Sequence, residues 1–402
     1  MRNTIYPVGL TLTLLLLFAA DAARADAVAD WADKATEIAT DGPFTVRTMA
    51  LVQNAVYEAV NAITARFPAE RVDLGVTQGA SIDAAIAAAS RVVLEHEAPA
   101  LAAATTAAYE QSMQAIPDDA ARLLGVGVGE RAAADVLARH TKDLGDPQPY
   151  RPAATPGVYV PTTMILGYAT SQHQPWILSS ASQLRPGPPP ALGSAAWARD
   201  YNETKSLGAV ASTTRTAEQT RIARFWASAL PDIHMGVVRS VATAPNREIT
   251  RNARLYAAVT AAMNDAEIAV FEAKYHYNYW RPITATRNGD RDGNAATERD
   301  AGWLPLIATP LQPEYPCGHC ILATTIATVI GIETGKDPLP TLSTISNTAP
   351  GDRRYWARTD DLINEVANAR IWAGVHYRSS ADAGIQMGKE IGKRVAAAYH
   401  LP

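Results

Sequence analysis

Cysteine is almost missing: two residues in 402 cannot staple a chain of this length, so stability must come from packing. Aromatics make up only 7% and β-branched runs are short, while alanine is abundant, which leans away from sheet and towards helix. Neither sign of charge dominates. Thirty-six basic against 40 acidic side chains give −4, no general field for nucleic acid. Beyond residue 25 no stretch reaches about 18 uninterrupted apolar residues, so no stable membrane span is expected in the mature chain. There is no internal repeat either. What remains is globular: 48% hydrophobic and 19% charged residues supply apolar mass for a large core.

The first 25 residues read as a removable leader. Arg2 precedes the apolar run from Val8 to Ala20, and Ala23-Arg24-Ala25 offers a small-x-small cleavage site. A run of about 13 apolar residues suits a signal sequence and is too short to span a bilayer. The expectation is export, to the periplasm or the medium, with Asp26 as the mature N-terminus.

Residues 26–146 then read as an N-terminal helical half. Val46, Met49, Val52, Val56, Ala59 and Ile63 recur at three- and four-residue steps, and 81–97 and 118–144 behave likewise. Ten of the 26 prolines fall between Pro147 and Pro190, so 147–193 reads as an ordered connection that cannot be continuous helix. Connections of that length are more often functional than idle. Residues 194–402 form a C-terminal helical half. Thr216-Ala-Glu-Gln219 fits a capping box, and further helices are expected over 246–279, 317–331, 360–374 and 382–399. The fold class is all-α.

Three segments of that half gather cations and histidines among apolar residues. In Lys274-Tyr-His-Tyr-Asn-Tyr-Trp-Arg281-Pro282 the two cations are seven apart, nearly two helical turns, so both should leave one face of a helix that Pro282 ends. The plainer reading is a helix-end arginine and a snorkelling lysine. In Pro313-Glu-Tyr-Pro-Cys317-Gly318-His319-Cys320 a proline-rich turn feeds an apolar helix. Its first turn offers free amide hydrogens, a glycine open to close approach, and a histidine suited to proton transfer. In Arg370-Ile-Trp-Ala-Gly374-Val-His376, Gly374 allows a helix end that would let Arg370 and His376 converge. A neutral His376 nitrogen could act as nucleophile or metal ligand.

Two decoys sit nearby. Cys-Gly-His-Cys is also a thiol–disulfide oxidoreductase motif, but no βαβ pattern surrounds it; a local disulfide stays open. Asn288-Gly-Asp290-Arg-Asp292-Gly293 imitates a calcium loop, yet Arg299 stands where the bidentate glutamate belongs. Taken together, Lys274, Arg281, Arg370, a glycine amide and two histidines make a site for a tetrahedral or trigonal oxyanion. Three cations in a core are costly without one.

The order Lys-x6-Arg-Pro, Pro-x-Gly-His, Arg-x5-His resembles the vanadium-dependent haloperoxidase and type 2 phosphatidic acid phosphatase superfamily. Tyr57-Glu-Ala-Val-Asn-Ala62, Arg215-Thr-Ala-Glu-Gln219 and Asp265-Ala-Glu-Ile268 look like its soluble bacterial haloperoxidase-like branch. The resemblance implies a helical-bundle fold and a bound vanadate, with phosphate competing. Lys274, Arg281 and Arg370 would neutralise the equatorial oxygens, and Gly318 would donate its amide to them. His319 would be the acid–base residue. His376 would bond to vanadium, or attack phosphorus in a phosphatase.

The chain departs from the family's pattern twice. Cys317 stands where a serine donates to the oxyanion, and its side chain would point into the cradle as a weaker donor. Ser380 stands four residues after His376, where phosphatase relatives place an aspartate that orients the histidine. The implied activity is oxidation of a halide or organic sulfide by hydrogen peroxide. The alternatives are a phosphomonoester phosphatase using the same pocket and a non-catalytic oxyanion-binding protein.

Overall fold

The computed structural model describes residues 26–402 apart from 40–44, 69–73, 75–76, 141–149, 152, 162, 229–230 and 336; the leader lies outside the described residues. Ahead of the proline-rich connection come α1 (Ala27–Ala39), α2 (Thr45–Thr64), α3 (Ile82–Glu97), α4 (Ala102–Gln114) and α5 (Ala120–Arg139). After it follow α6 (Ala195–Gly208), α7 (Ala217–Phe225), α8 (Asp232–Ala242), α9 (Ile249–Tyr277), α10 (Pro282–Arg287) and α11 (Gly318–Thr334). A hairpin, β1 (Leu342–Ile345) and β2 (Arg353–Trp356), precedes α12 (Thr359–Trp372) and α13 (Arg378–Ala398). The fold is all-α apart from that hairpin.

The axis is α9. Every residue from Asn252 to Ala266 is buried, the pattern of a helix with neighbours on all sides. From the N-terminal half α1 and α2 pack on it, and from the C-terminal half α11 and α13, so both halves share one continuous core. The proline-rich connection is tied to the same helix. The Asp265 carboxylate accepts backbone N–H bonds from Trp176 (2.6 Å), Ile177 (3.0 Å) and Leu178 (2.9 Å). Burial nevertheless raises its pKa to about 6, because three neutral donors do not fully replace water around a carboxylate.

The close pairing of α11 with α13 rests on small residues. Gly384, Gly388 and Gly392 recur every four residues along α13. A Cβ at Gly384 would lie 2.7 Å from the Cys317 carbonyl oxygen, and one at Gly388 would lie 2.6 Å from that of Ile321. The helices therefore meet backbone to backbone, which fixes where α11 begins. The expected capping box is present: Thr216 accepts from the Gln219 N–H while the Gln219 side chain accepts from that of Thr216.

Candidate oxyanion site

Lys274 and Arg281 do not share a helix face. Asn278 adopts the left-handed conformation (φ 49°) and ends α9 at Tyr277, while Arg281 is extended and Pro282 opens α10. Proline here starts a helix, as its fixed φ suits a first turn. The two cations meet instead because both clasp the segment ahead of α11. Lys274 Nζ donates to the carbonyls of Pro313 (2.9 Å) and Glu314 (2.8 Å); Arg281 Nε donates to that of Gln312 (2.7 Å).

Arg370 and His376 converge through Gly374, as its position suggested. With φ 76° it turns the chain sharply out of α12, and a Cβ there would lie 2.4 Å from the Gly208 carbonyl oxygen. Only glycine fits both demands. Arg370 Nη1 donates to the Trp226 carbonyl, and Arg281 Nη1 donates to that of Val375 (2.9 Å).

The hydrogen bonds settle the tautomer of His376. Arg281 Nη1 lies 3.3 Å from Nε2 and can only donate, so Nε2 carries the lone pair. The ring proton is then on Nδ1, which donates to Glu314 Oε1 at 2.7 Å. The Tyr377 N–H donates to the same oxygen (3.1 Å). An oxygen receiving two donors is the natural place for a carboxylate charge. Burial raises the Glu314 pKa, while Arg281 and then Lys274 pull against that rise. His376 itself is held well below its ordinary range by burial and next by Arg281, so the ring is neutral.

Glu314 is the functional residue that sequence reasoning missed. It does from the preceding turn what an aspartate four residues after His376 would have done. Ser380, which occupies that place, has its hydroxyl 3.5 Å from Nδ1. The signal was a charged residue inside Pro-Glu-Tyr-Pro, a turn otherwise read only for its prolines.

Cys317 requires a correction. It forms a disulfide with Cys320, so its sulfur has no proton to give an oxyanion. Cys317 caps α11, and its N–H donates to the Ser380 carbonyl (3.1 Å). The disulfide encloses Gly318 and His319, the two site residues between its cysteines. His319 Nε2 donates to the Ser228 carbonyl (2.8 Å), which leaves Nδ1 as the nitrogen able to take a proton. Burial, then Arg370, depresses the His319 pKa well below the usual range. The calcium-like loop is spoken for: Asp292 accepts from Trp197 Nε1 (2.7 Å), the Asn294 N–H (2.8 Å) and Thr297 Oγ1.

The residues fit an oxyanion with three features. Lys274, Arg281 and Arg370 are each 1% exposed, and the buried Glu314 carboxylate acts on the first two alone. Burial lowers the pKa of Arg281 to about 10 and of Arg370 to about 9, and depresses Lys274 strongly. Donors remain unspent: Arg281 Nη2 and Arg370 Nε are buried without partners, and Lys274 has a third N–H. Gly318 has nothing closer to its missing Cβ than Lys274 Cε at 3.9 Å, so space stands open before the helix start. Trp197, Tyr279, Trp280, Tyr315 and Tyr377 pack as an aromatic wall beside the His376–Glu314 pair.

A buried cationic cradle at the start of a helix has the chemistry that suits an oxyanion. Residues 254–401 match the family of the vanadium chloroperoxidase second helical-bundle domain. The vanadium chloroperoxidase of Curvularia inaequalis is 25% identical over 236 residues, 44% of this chain; the chain spans only 38% of that protein. Among solved structures, the first bacterial vanadium-dependent iodoperoxidase superposes with a TM-score of 0.78 at 22% identity, covering 92% of this chain and 95% of its own. A bacterial vanadium-dependent chloroperoxidase in its holo form gives 0.69 at 17% identity, covering 90% and 92%. Over 92% of its length this chain has the fold of a vanadium haloperoxidase, and residues 254–401 match that superfamily's second helical-bundle domain.

Proposed function

We propose that the protein is a vanadate-dependent haloperoxidase that uses hydrogen peroxide to oxidise a halide or an organic sulfide. One observation carries the reading: three buried cations hold unpartnered N–H groups around the open start of α11, beside two neutral histidines. Lys274, Arg281, Arg370 and the Gly318 amide would hold the oxygens of vanadate, and His376 Nε2 would bond to its metal. When bound, vanadate supplies a Lewis-acid centre that activates peroxide towards two-electron oxidation. The chain's own part is electrostatic and acid–base. Glu314 keeps the His376 lone pair on Nε2 by taking the Nδ1 proton in a hydrogen bond. His319 Nδ1 takes a proton from the incoming peroxide and returns it to the departing oxygen. The cradle cations offset negative charge in a water-poor pocket, an effect worth several kcal/mol in comparable oxyanion sites.

A second reading draws on one observation. Glu314 orients His376 as a phosphohistidine mechanism requires, which supports a phosphomonoester phosphatase in the same pocket. Activity of the purified protein with and without added vanadate separates the two. Vanadate should be required for halide oxidation, whereas inhibition of phosphomonoester hydrolysis by vanadate would reverse the assignment.

Export is part of the same proposal, resting on the leader at 1–25. Asp26, the expected first residue, is anchored in the fold: its carboxylate accepts from the Ala29 N–H (2.9 Å) and from Asn252 Nδ2 (2.6 Å). N-terminal sequencing of protein from the periplasm or medium should read from Asp26. An intact Met1 would refute it.

A further inference from the structure

One cavity, of about 410 Å³, opens beside Arg281 and belongs to the oxyanion site. A larger one, of about 730 Å³, shares no lining residue with the cradle. Its walls are α1, α8 and the outward face of the hairpin. That size suits a small-molecule site. The hairpin gives the cavity its character. Register pairs Ser343 with Tyr355 and Ile345 with Arg353, so these four side chains share one face of the sheet, while Leu342, Thr344 and Trp356 behind them are buried. Three of the four line the cavity; the fourth, Tyr355, stands beside them 63% exposed, and Ile345, diagonal to it, is 57% exposed. The wall is fixed in place. Ser240 Oγ on α8 accepts from the Ser343 N–H (2.9 Å) and donates to the Ser343 carbonyl (3.1 Å). A flat ring held in water at the rim of a preformed concavity offers an apolar face to an occupant.

The polar groups of the lining select that occupant. Arg239 is already satisfied, paired with Asp33 at 2.7 Å and bonded to the Ala29 carbonyl (3.1 Å). Glu37 and Asp232 remain, on different helices and in no ion pair among the described residues, against Arg353, which spends an N–H on Ser343 Oγ (3.4 Å). An anion would meet two carboxylates for one free cation. A metal ion would lack ligands, since no three His, Cys, Asp or Glu side chains gather to hold one among the described residues. A wholly apolar molecule would meet the hydroxyls of Ser240, Thr243, Thr341 and Ser343. Carboxylates that accept, a guanidinium that donates and hydroxyls that do both match the hydroxyls of a sugar. A pyranose ring also carries C–H groups on its flat faces, which suit an aromatic ring. We propose that this cavity binds a neutral chain of β-1,4-linked pyranose units, one of them stacked on Tyr355. Equatorial linkage keeps both faces of each ring open for that contact. The inference goes beyond the haloperoxidase reading and does not depend on it.

Cellotriose and chitotriose serve as probes, with spermidine as a cationic comparison. Each is titrated into the full-length mature protein by calorimetry and by saturation-transfer NMR, which also detects weak binding. The wild type should bind one or both sugars, with transfer strongest to the ring C–H protons. Tyr355→Ala should weaken that binding about fivefold by removing the apolar contact, and Tyr355→Phe, which keeps the ring, should not. Glu37→Ala should weaken it too, whereas Leu123→Ala, exposed on α5, should leave it unchanged. Phosphate affinity at the cradle should be the same in all four variants, so that any loss of sugar binding is local. Three results would each overturn the inference: no binding of either sugar by the wild type, tighter binding of spermidine than of both sugars, or equal sugar binding by the wild type and Tyr355→Ala.

Discussion

Glu314→Gln is the most informative single change. Glutamine keeps the shape and, through its carbonyl oxygen, can still accept from His376 Nδ1 and the Tyr377 N–H. Only the charge is lost. That charge is the buried carboxylate facing Lys274 and Arg281, cations that are themselves almost wholly buried. Removing one member of a buried ionic cluster costs about 3–5 kcal/mol, and the retained hydrogen bonds set the expectation at the lower end, about 3. The bond to His376 also changes from charge-assisted to neutral, a loss of about 1–2 kcal/mol, or about tenfold or somewhat more in turnover. An oxyanion in the cradle would replace the missing charge, so the instability should be specific to the anion-free protein. Thermal denaturation with and without phosphate, alongside steady-state turnover, tests both parts. Unchanged melting without phosphate together with unchanged turnover would refute the role assigned to Glu314.

His376→Ala should remove the bond to the central atom and nearly all turnover; wild-type vanadate affinity in that variant by calorimetry would contradict the assignment. The Cys317–Cys320 bridge closes a very short loop, so replacing both cysteines by serine should cost about 2 kcal/mol in denaturant unfolding and loosen oxyanion binding. Thiol titration of the native protein that finds two free cysteines would end that argument. Burial and neighbouring cations depress Lys274 and His319 in the anion-free protein, and a bound anion relieves that depression. Binding should therefore take up protons and tighten as pH falls. Calorimetry with sulfate near neutral pH, in two buffers of different ionisation enthalpy, should report uptake; proton release would be the wrong sign.

The fold class was legible because helical periodicity repeats across hundreds of residues, whereas the hairpin was not. Its strands are four residues each, too short for alternation to stand out: Leu342 and Thr344 are buried on β1, and Trp356 alone on β2. Yet it supports the site: Trp356 packs on Trp226, whose carbonyl receives Arg370. The cations and histidines were legible from residue type and order. Their geometry was only partly so. Seven-residue spacing suggested a shared face for Lys274 and Arg281, but a single left-handed Asn278 overrode the helical period. Glu314 escaped because orientation of a histidine is a through-space property, 62 positions away in sequence. Cys317 misled because one residue can cap a helix, bridge to a neighbour or face a ligand, and only the fold decides which.

The parts of the molecule that hold the cradle and those that line the cavity beside it are built differently, and this bears on how such a protein can evolve. The cradle is locked by backbone contact along the glycine face of α13 and by carbonyl groups clasped on either side, so few of its positions can vary independently. The cavity walls come mostly from segments between helices, around residues 159–160, 210 and 304–311. Those segments carry little of the core. Selection can rewrite them residue by residue, reshaping the cavity without disturbing the cradle next door.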